Sequence, residues 1–86
     1  MRIIPHRDFE KSVRRLTRAQ QRRLGERLRL FASDPFTASL HNHALQGKYQ
    51  GYRSINITGD IRAIYELLKR DVAHFVAIGT HSDLCE

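Results

Sequence analysis

The sequence contains 86 residues, of which 41% are hydrophobic and 28% are charged, so it can build one small domain with a modest core. Its formal net charge is +6, distributed unevenly, because residues 1–30 hold ten Lys/Arg against three Asp/Glu. Such a basic segment favours a polyanionic partner, either nucleic acid or an acidic protein segment. The single cysteine, Cys85, excludes an intramolecular disulfide, and no apolar run is long enough to span a membrane. We therefore expect one domain over residues 1–86, a cytoplasmic location and no membrane segment.

The chain begins with a predicted strand and a predicted helix. Residues 1–5 form a short apolar stretch that ends at Pro5, and proline cannot donate to a sheet ladder. Between residues 8 and 16, apolar side chains recur with the i, i+4, i+7 spacing of one helix face: Phe9, Val13 and Leu16. The pattern predicts a helix over residues 8–16.

A second helix is predicted over residues 18–32. Thr17 is followed three residues later by Gln20, which is the pattern of a capping box at a helix start. The apolar residues of this segment share one stripe: Leu24, Leu28, Phe31 and Ala32. Arginines cover the other sides, where we expect them to be solvated: Arg22, Arg23, Arg27 and Arg29. The two helices should form a hairpin with one apolar seam.

The second half of the chain alternates between strand-like segments and turns. Strands are predicted near these segments: Ala44–Tyr49, Tyr52–Ile57, Ile61–Leu68 and Ala73–Ile78. We expect Gly59 to supply a positive φ in the hairpin turn Thr58-Gly59-Asp60. We also expect Ser54 and Asn56 on an open face of the sheet. The order β-α-α-β-β-β-β predicts an α+β fold, a mainly antiparallel sheet with a helical hairpin packed on one face.

Side chains suited to acid–base or phosphate chemistry occur in this second half. His81 follows the last strand, and strand pairing would bring it near His43 or Asp60. Histidine titrates near neutrality and suits proton transfer, although an exposed loop histidine or a turn aspartate would show the same pattern. Arg53 and Arg62 alternate with apolar residues, which suits either a phosphate clamp or a solvated strand face.

Three segments in this element order resemble the RelE/ParE superfamily of toxins from bacterial toxin–antitoxin pairs: LQGKYQGYRSI, TGDIRAIYE and IGTHSDL. The resemblance is strongest to the YafQ-like branch and sharpest over residues 43–84. It implies a small RelE-like fold and a ribosome-dependent endoribonuclease that cuts mRNA without a metal. In that reaction the RNA 2′-hydroxyl attacks the neighbouring phosphate. The implied partners are mRNA, the ribosome with its rRNA, and an acidic antitoxin segment that blocks the site.

The resemblance also implies site residues. His81 is the expected general acid or base, with His43 and Asp60 as its partners. Arg62 is expected to stabilise the charged phosphorane, supported by Lys48 or Arg53. Positions expected to contact the substrate are Lys48, Arg53, Asn56 and Cys85. Asn56 stands where this branch can carry a histidine, and asparagine cannot shuttle a proton at neutral pH.

Cys85 stands where an aromatic residue is usual in the family, and this difference yields a prediction. Cys85→Tyr or Cys85→Phe should make the protein a faster nuclease, because an aromatic ring can stack on a base. Stacking on one base changes an equilibrium constant by roughly 5- to 150-fold. Cys85→Ser should change little, since the nucleophile is the RNA 2′-hydroxyl. Comparing mRNA cleavage and growth arrest at matched expression tests both. Loss of activity in Cys85→Ser would contradict the mechanism.

Two other functions fit the same scaffold. ParE-type members inhibit DNA gyrase without cutting RNA, so the fold alone does not decide the activity. A degenerate toxin that only binds its antitoxin is the other alternative. A zinc site is not expected, because the spacing of His41, His43 and His81 matches no zinc pattern, and no cofactor is expected either.

Overall fold

A five-stranded sheet is the frame of the structure, a computed structural model that describes residues 1–84. The elements in chain order are β1 (Arg2–Pro5), α1 (Arg7–Val13), α2 (Arg18–Ser33), β2 (His43–Ala44), β3 (Arg53–Asn56), β4 (Ile61–Lys69), β5 (Val72–Thr80) and α3 (His81–Leu84). The strand order is β1-β5-β4-β3-β2, and only the β1–β5 pair is parallel. The predicted α+β class is confirmed, and α3 is an addition to the predicted order. No helix within residues 1–84 is long and apolar enough to cross a membrane.

The helical hairpin packs on one face of the sheet. The predicted capping box is present, because Gln20 N donates to Thr17 Oγ1 at 3.1 Å and Thr17 N donates to Gln20 Oε1 at 2.9 Å. At the centre of the core, the ring of Phe31 lies edge-on to Tyr65 and Phe75, with centroid distances of 4.9 and 5.3 Å. The sheet contributes alternate β4 residues to this core: Ile61, Ala63 and Tyr65.

The predicted strand Ala44–Tyr49 is wrong beyond its first residue. Strand β2 contains only His43 and Ala44, and Gly47–Tyr49 forms a 3-10 turn. Gly47 has φ 66° and Gly51 has φ 93°, in the left-handed region where a strand cannot continue. The loop nevertheless returns to the sheet, because Leu45 N donates to Tyr52 O.

The hairpin between β3 and β4 is built differently from the prediction. Gly59 is not among the glycines with a positive φ. Instead, the hydroxyl of Thr58 accepts from the backbone N–H groups of Asp60 at 3.2 Å and Ile61 at 3.0 Å. The side chain of Thr58 therefore satisfies the turn, as threonine hydroxyls do in such turns, and no left-handed residue is needed.

Ser54 is fully buried, contrary to the prediction that it faces solvent. It lies inside the sheet, opposite His43 of β2 and Ile64 of β4, and paired residues share a face. Ile64 is fully buried too, so this second face of the sheet is partly covered. Asn56, the other residue predicted there, is half-buried.

Candidate active site

The face of the sheet opposite the helical hairpin carries two rows of residues that include several predicted site positions. One row crosses from β3 to β5: Asn56, Arg62 and Gly79. The neighbouring row starts at the β2 edge: His43, Ser54, Ile64 and Ala77. Because the pleat alternates, these side chains point away from the core residues Ile61, Ala63 and Tyr65.

An open cleft of about 420 Å³ lies beside the first row. Its lining residues come from the β3–β4 turn, β4 and the β5–α3 junction: Gly59, Asp60, Arg62, Thr80, His81 and Ser82. The cleft brings together three of the residues predicted to be catalytic, since Asp60, Arg62 and His81 all line it. Asp60 and His81 are exposed, while Arg62 is half-buried, so one cleft contains a cation and two groups that can exchange protons.

Arg62 is positioned by Asn56. The Arg62 Nη1 atom donates to Asn56 Oδ1 at 3.2 Å, across the β3–β4 pair. The backbone carbonyl of Asn56 in turn accepts from Arg27 Nε at 3.2 Å. A chain of hydrogen bonds therefore runs from helix α2 through β3 to the guanidinium in the cleft, and it limits the rotamers open to Arg62.

The prediction that Arg27 is solvated is wrong. Besides Asn56, it donates to the carbonyl of Ser39, and it is half-buried. Burial, and then the neighbouring Arg23, lower its pKa from the ordinary value, against the effect of Glu26. The other arginines predicted to be solvated, Arg22, Arg23 and Arg29, are exposed, and so are Arg14, Arg15 and Arg18.

His81 is the first residue of α3, and its backbone is held by a second capping box. Asp83 N donates to Thr80 Oγ1 at 3.0 Å, and Thr80 N donates to Asp83 Oδ2 at 3.1 Å. The sequence contains the signal for this turn, because Thr80 and Asp83 have the spacing S/T-x-x-D/E. Sequence reasoning missed it and ended the last strand at residue 78, whereas β5 continues to Thr80.

His43 lies apart from this cleft, at the β2 edge of the sheet. Strand β2 is three strands from β5, a backbone separation of roughly 14 Å at ordinary strand spacing. Its Nδ1 lies 2.8 Å from the carbonyl oxygen of His41. A carbonyl oxygen only accepts, so Nδ1 carries the proton of the neutral ring and Nε2 is the basic nitrogen. No group of three or more His, Cys, Asp or Glu residues within the described chain is placed to hold a metal ion.

Arg53 and Lys48 are not close partners of Arg62. Arg53 lies on the helix-covered face, where its Nε donates to Asn42 Oδ1 at 2.8 Å and its guanidinium lies 5.2 Å from the Phe36 ring centroid. These contacts indicate a structural role in place of the predicted support for Arg62. Lys48 lines a different cleft on the face opposite the helical hairpin. Cys85 lies outside the described residues.

A family model described as a bacterial toxin of type II toxin–antitoxin systems, YafQ, matches residues 1–86. The chain belongs to this toxin family. It is similar to the crystal structure of YafQ from E. coli strain BL21(DE3), with 28% identity, a TM-score of 0.78 and 100% coverage of both chains. It is also similar to a chain of the E. coli DinJ–YafQ toxin–antitoxin complex, with 28% identity, a TM-score of 0.75 and coverage of 98% of this chain and 96% of that chain.

More distant structures share the fold alone. One is the archaeal RelE–RelB complex from Pyrococcus horikoshii OT3, with 22% identity, a TM-score of 0.74 and 92% coverage of each chain. No curated protein sequence matches the chain. The predicted resemblance to the RelE/ParE superfamily and its YafQ-like branch is confirmed.

In this YafQ-family toxin, Gly79 permits the position of α3. A Cβ atom at residue 79 would lie 3.1 Å from Asp83 Cβ and 3.3 Å from Asp83 Oδ2, which is closer than ordinary contact. Asp83 also closes the capping box that holds the start of α3. The absence of a side chain at Gly79 therefore lets α3 fold back over β5 and orient His81.

Gly79→Ala should be less stable than Gly25→Ala, because Asp83 must shift by a few tenths of an ångström to admit the new Cβ. Gly25→Ala is the matched control, because its new Cβ would meet Arg29 Nη1 at an ordinary 3.7 Å and alanine favours the helix by about 1 kcal/mol. Urea unfolding of both variants measures the difference. Equal stability changes in the two variants would contradict the role of Gly79.

Proposed function

We propose that this toxin is an endoribonuclease that cuts mRNA in the ribosome by attack of the RNA 2′-hydroxyl on the adjacent phosphate. The observation that supports the proposal best is the cleft on the face opposite the helical hairpin, which Asp60 and His81 line together with an arginine held by Asn56. A cation beside two proton-exchanging groups is what this reaction requires of a protein.

The reaction assigns a task to each group. The 2′-hydroxyl gives up its proton as its oxygen bonds to phosphorus. The bond from phosphorus to the 5′-oxygen then breaks, and that oxygen takes up a proton, leaving a 2′,3′-cyclic phosphate and a 5′-hydroxyl. Arg62 balances the negative charge on the phosphorane oxygens. His81 exchanges a proton with one of the two RNA oxygens, and Asp60, which lines the same cleft, serves the other.

The two faces of the molecule are suited to binding two different polyanions at the same time. The exposed arginines belong largely to the helical layer, whereas the cleft opens on the other face of the sheet. We propose that the helical layer contacts rRNA while the cleft receives mRNA, in a cytoplasmic toxin whose single domain spans residues 1–86. Because a related YafQ chain was solved with DinJ, we also propose a cognate antitoxin, whose acidic segment would cover this basic surface.

Primer extension on mRNA from cells expressing the chain tests the function. We expect new 5′ ends in mRNA from cells that express the wild-type chain. These ends should be absent from cells that express His81→Ala at the same level. A DNA gyrase supercoiling assay with the purified protein should show no inhibition. Inhibition of gyrase without new mRNA ends would overturn the proposal in favour of a ParE-like activity.

Ribosome binding should weaken steeply as salt rises, because phosphate contacts release counterions. Sedimentation of the toxin with purified ribosomes over a range of KCl concentrations measures the slope of log K against log[salt]. Arg22→Gln and Arg29→Gln, two exposed positions on α2, should each reduce the magnitude of that slope by about 1 if the residue contacts a phosphate. Arg70→Gln, an exposed position in the β4–β5 turn, is the control and should leave the slope unchanged. A flat affinity would count against the helical surface as the docking site.

A further inference from the structure

A second cleft opens on the same face of the sheet, opposite the helical hairpin and beside the start of α1, and the proposed chemistry does not use it. Its volume is about 460 Å³. One wall comes from the loop between β2 and β3, with Lys48, Tyr49 and Tyr52, and the other includes Glu66 and His74 of the sheet. Glu66 is four residues beyond Arg62 along β4, a distance of roughly 13 Å. A short single-stranded segment that occupies the first cleft can therefore reach the second.

The loop wall presents two aromatic rings and a cation. The rings of Tyr49 and Tyr52 are half-buried and lie edge to face, 6.0 Å apart at 74°. The Lys48 ammonium lies 5.2 Å from the Tyr49 ring centroid, at an exposed position. Aromatic rings next to a positive side chain are the usual means by which proteins bind unpaired bases and their phosphates.

The opposite wall is polar and carries carboxylates. Glu66 Oε2 lies 3.4 Å from His74 Nδ1, and the His74 ring lies 5.4 Å from the ring of His6. A carboxylate has about four lone-pair sites, so Glu66 can accept further N–H donors while it bonds His74. With Asp8 also at this wall, a phosphate in the interior would be repelled. The amino group of a base is the better match, since carboxylates accept from such groups.

We propose that this cleft binds a base of the substrate RNA, one that carries an exocyclic amino group, a short distance along the strand from the cleaved phosphate. Tyr49 and Tyr52 hold the base by ring contacts, and Glu66 accepts a hydrogen bond from its amino group. Lys48, at the exposed rim, meets a backbone phosphate. The proposal rests on the RNA substrate of the proposed function and adds a base preference to it.

Fluorescence anisotropy with labelled single-stranded RNA hexamers tests the proposal. Full-length protein carrying His81→Ala serves as the parent, so that cleavage cannot consume the probe. We expect the parent to bind oligocytidine more tightly than oligouridine, because only cytosine has an exocyclic amino group. Tyr49→Leu in this parent should weaken oligocytidine binding by roughly 5- to 150-fold, the range of base–aromatic stacking. Glu66→Gln should reduce the preference for cytosine, and Lys48→Ala should weaken both probes alike.

Matched controls come from outside the cleft. Phe36→Leu removes an exposed aromatic ring, and Lys69→Ala removes an exposed lysine, so neither should change the affinity for either probe. Thermal unfolding of each variant shows that the fold is retained. If the three cleft variants bind RNA as tightly as the parent does, the proposal is overturned. Unchanged RNA binding is the result expected if the cleft binds a protein partner.

The outcomes separate this proposal from the proposed function. Oligocytidine binding that depends on Tyr49 and Glu66, in a protein that yields no new mRNA ends, would refute the nuclease and support the base-binding cleft. If the protein cleaves mRNA but its cleft variants keep the parent's RNA affinity and base preference, the nuclease is supported and the base-binding cleft is refuted.

Discussion

Replacing His81 with alanine should slow mRNA cleavage by about 10²–10⁴-fold, the usual contribution of a positioned general acid or base. The imidazole lies in the cleft with Asp60 and Arg62, and its position follows from the capping box between Thr80 and Asp83. Because His81 is exposed, its removal should leave the free energy of unfolding within about 0.5 kcal/mol of the wild-type value. The measurement is the rate of mRNA cleavage on purified programmed ribosomes.

His41→Asn is the matched control for His81→Ala. His41 is an exposed histidine outside the cleft, and its φ of 50° is one that asparagine tolerates. The control should cleave mRNA at the wild-type rate. Wild-type cleavage by His81→Ala itself would remove His81 from the mechanism and leave Asp60 as the proton-exchanging group of the cleft.

Replacing Arg62 with alanine should lower the cleavage rate by about 10²–10³-fold, as for the loss of one preorganised group that stabilises charge in the transition state. Arg62→Lys should recover only part of the rate. A lysine ammonium lacks the planar fork of the guanidinium, which can contact Asn56 Oδ1 and present further N–H groups to a phosphate. Single-turnover cleavage rates of the two variants on purified ribosomes test the assignment.

Arg53→Met provides the contrast for the Arg62 variants. Arg53 lies on the helix-covered face, bonded to Asn42 and packed on Phe36, so its loss should reduce stability and leave the cleavage rate of folded protein unchanged. A loss of rate equal to that of Arg62→Ala would show that Arg53 serves the reaction. Urea unfolding of the same samples separates the fraction folded from the rate.

Local patterns were sufficient wherever a feature depends on residues close together in the chain. The capping box at Thr17 and Gln20 and the apolar stripe of α2 were both predicted, because each involves neighbours within one turn or one helix. The same kind of signal at Thr80 and Asp83 was available for α3 and was not used. The prediction of a strand over Ala44–Tyr49 was wrong because a positive φ at Gly47 turns the chain. The sequence analysis assigned that glycine no role.

Some predicted site residues lie together in the structure and others do not. Asp60, Arg62 and His81 were named from segments that resemble the toxin family, and the structure brings these three into one cleft. It places His43 three strands from β5 and Lys48 in the second cleft. Spacing along the chain could not separate these positions, because the loop between β2 and β3 determines where Lys48 lies.

The sequence by itself determined the α+β class, the helical hairpin and the toxin family, since these follow from periodicity, capping residues and short segments in order. Only the tertiary structure decided which side chains meet. Strand register sets Asn56 opposite Arg62 and Arg62 opposite Gly79, and it turns Arg53 to the other face of the sheet. Register depends on partners distant in sequence, and a shift of one residue would move every side chain of a strand to the opposite face.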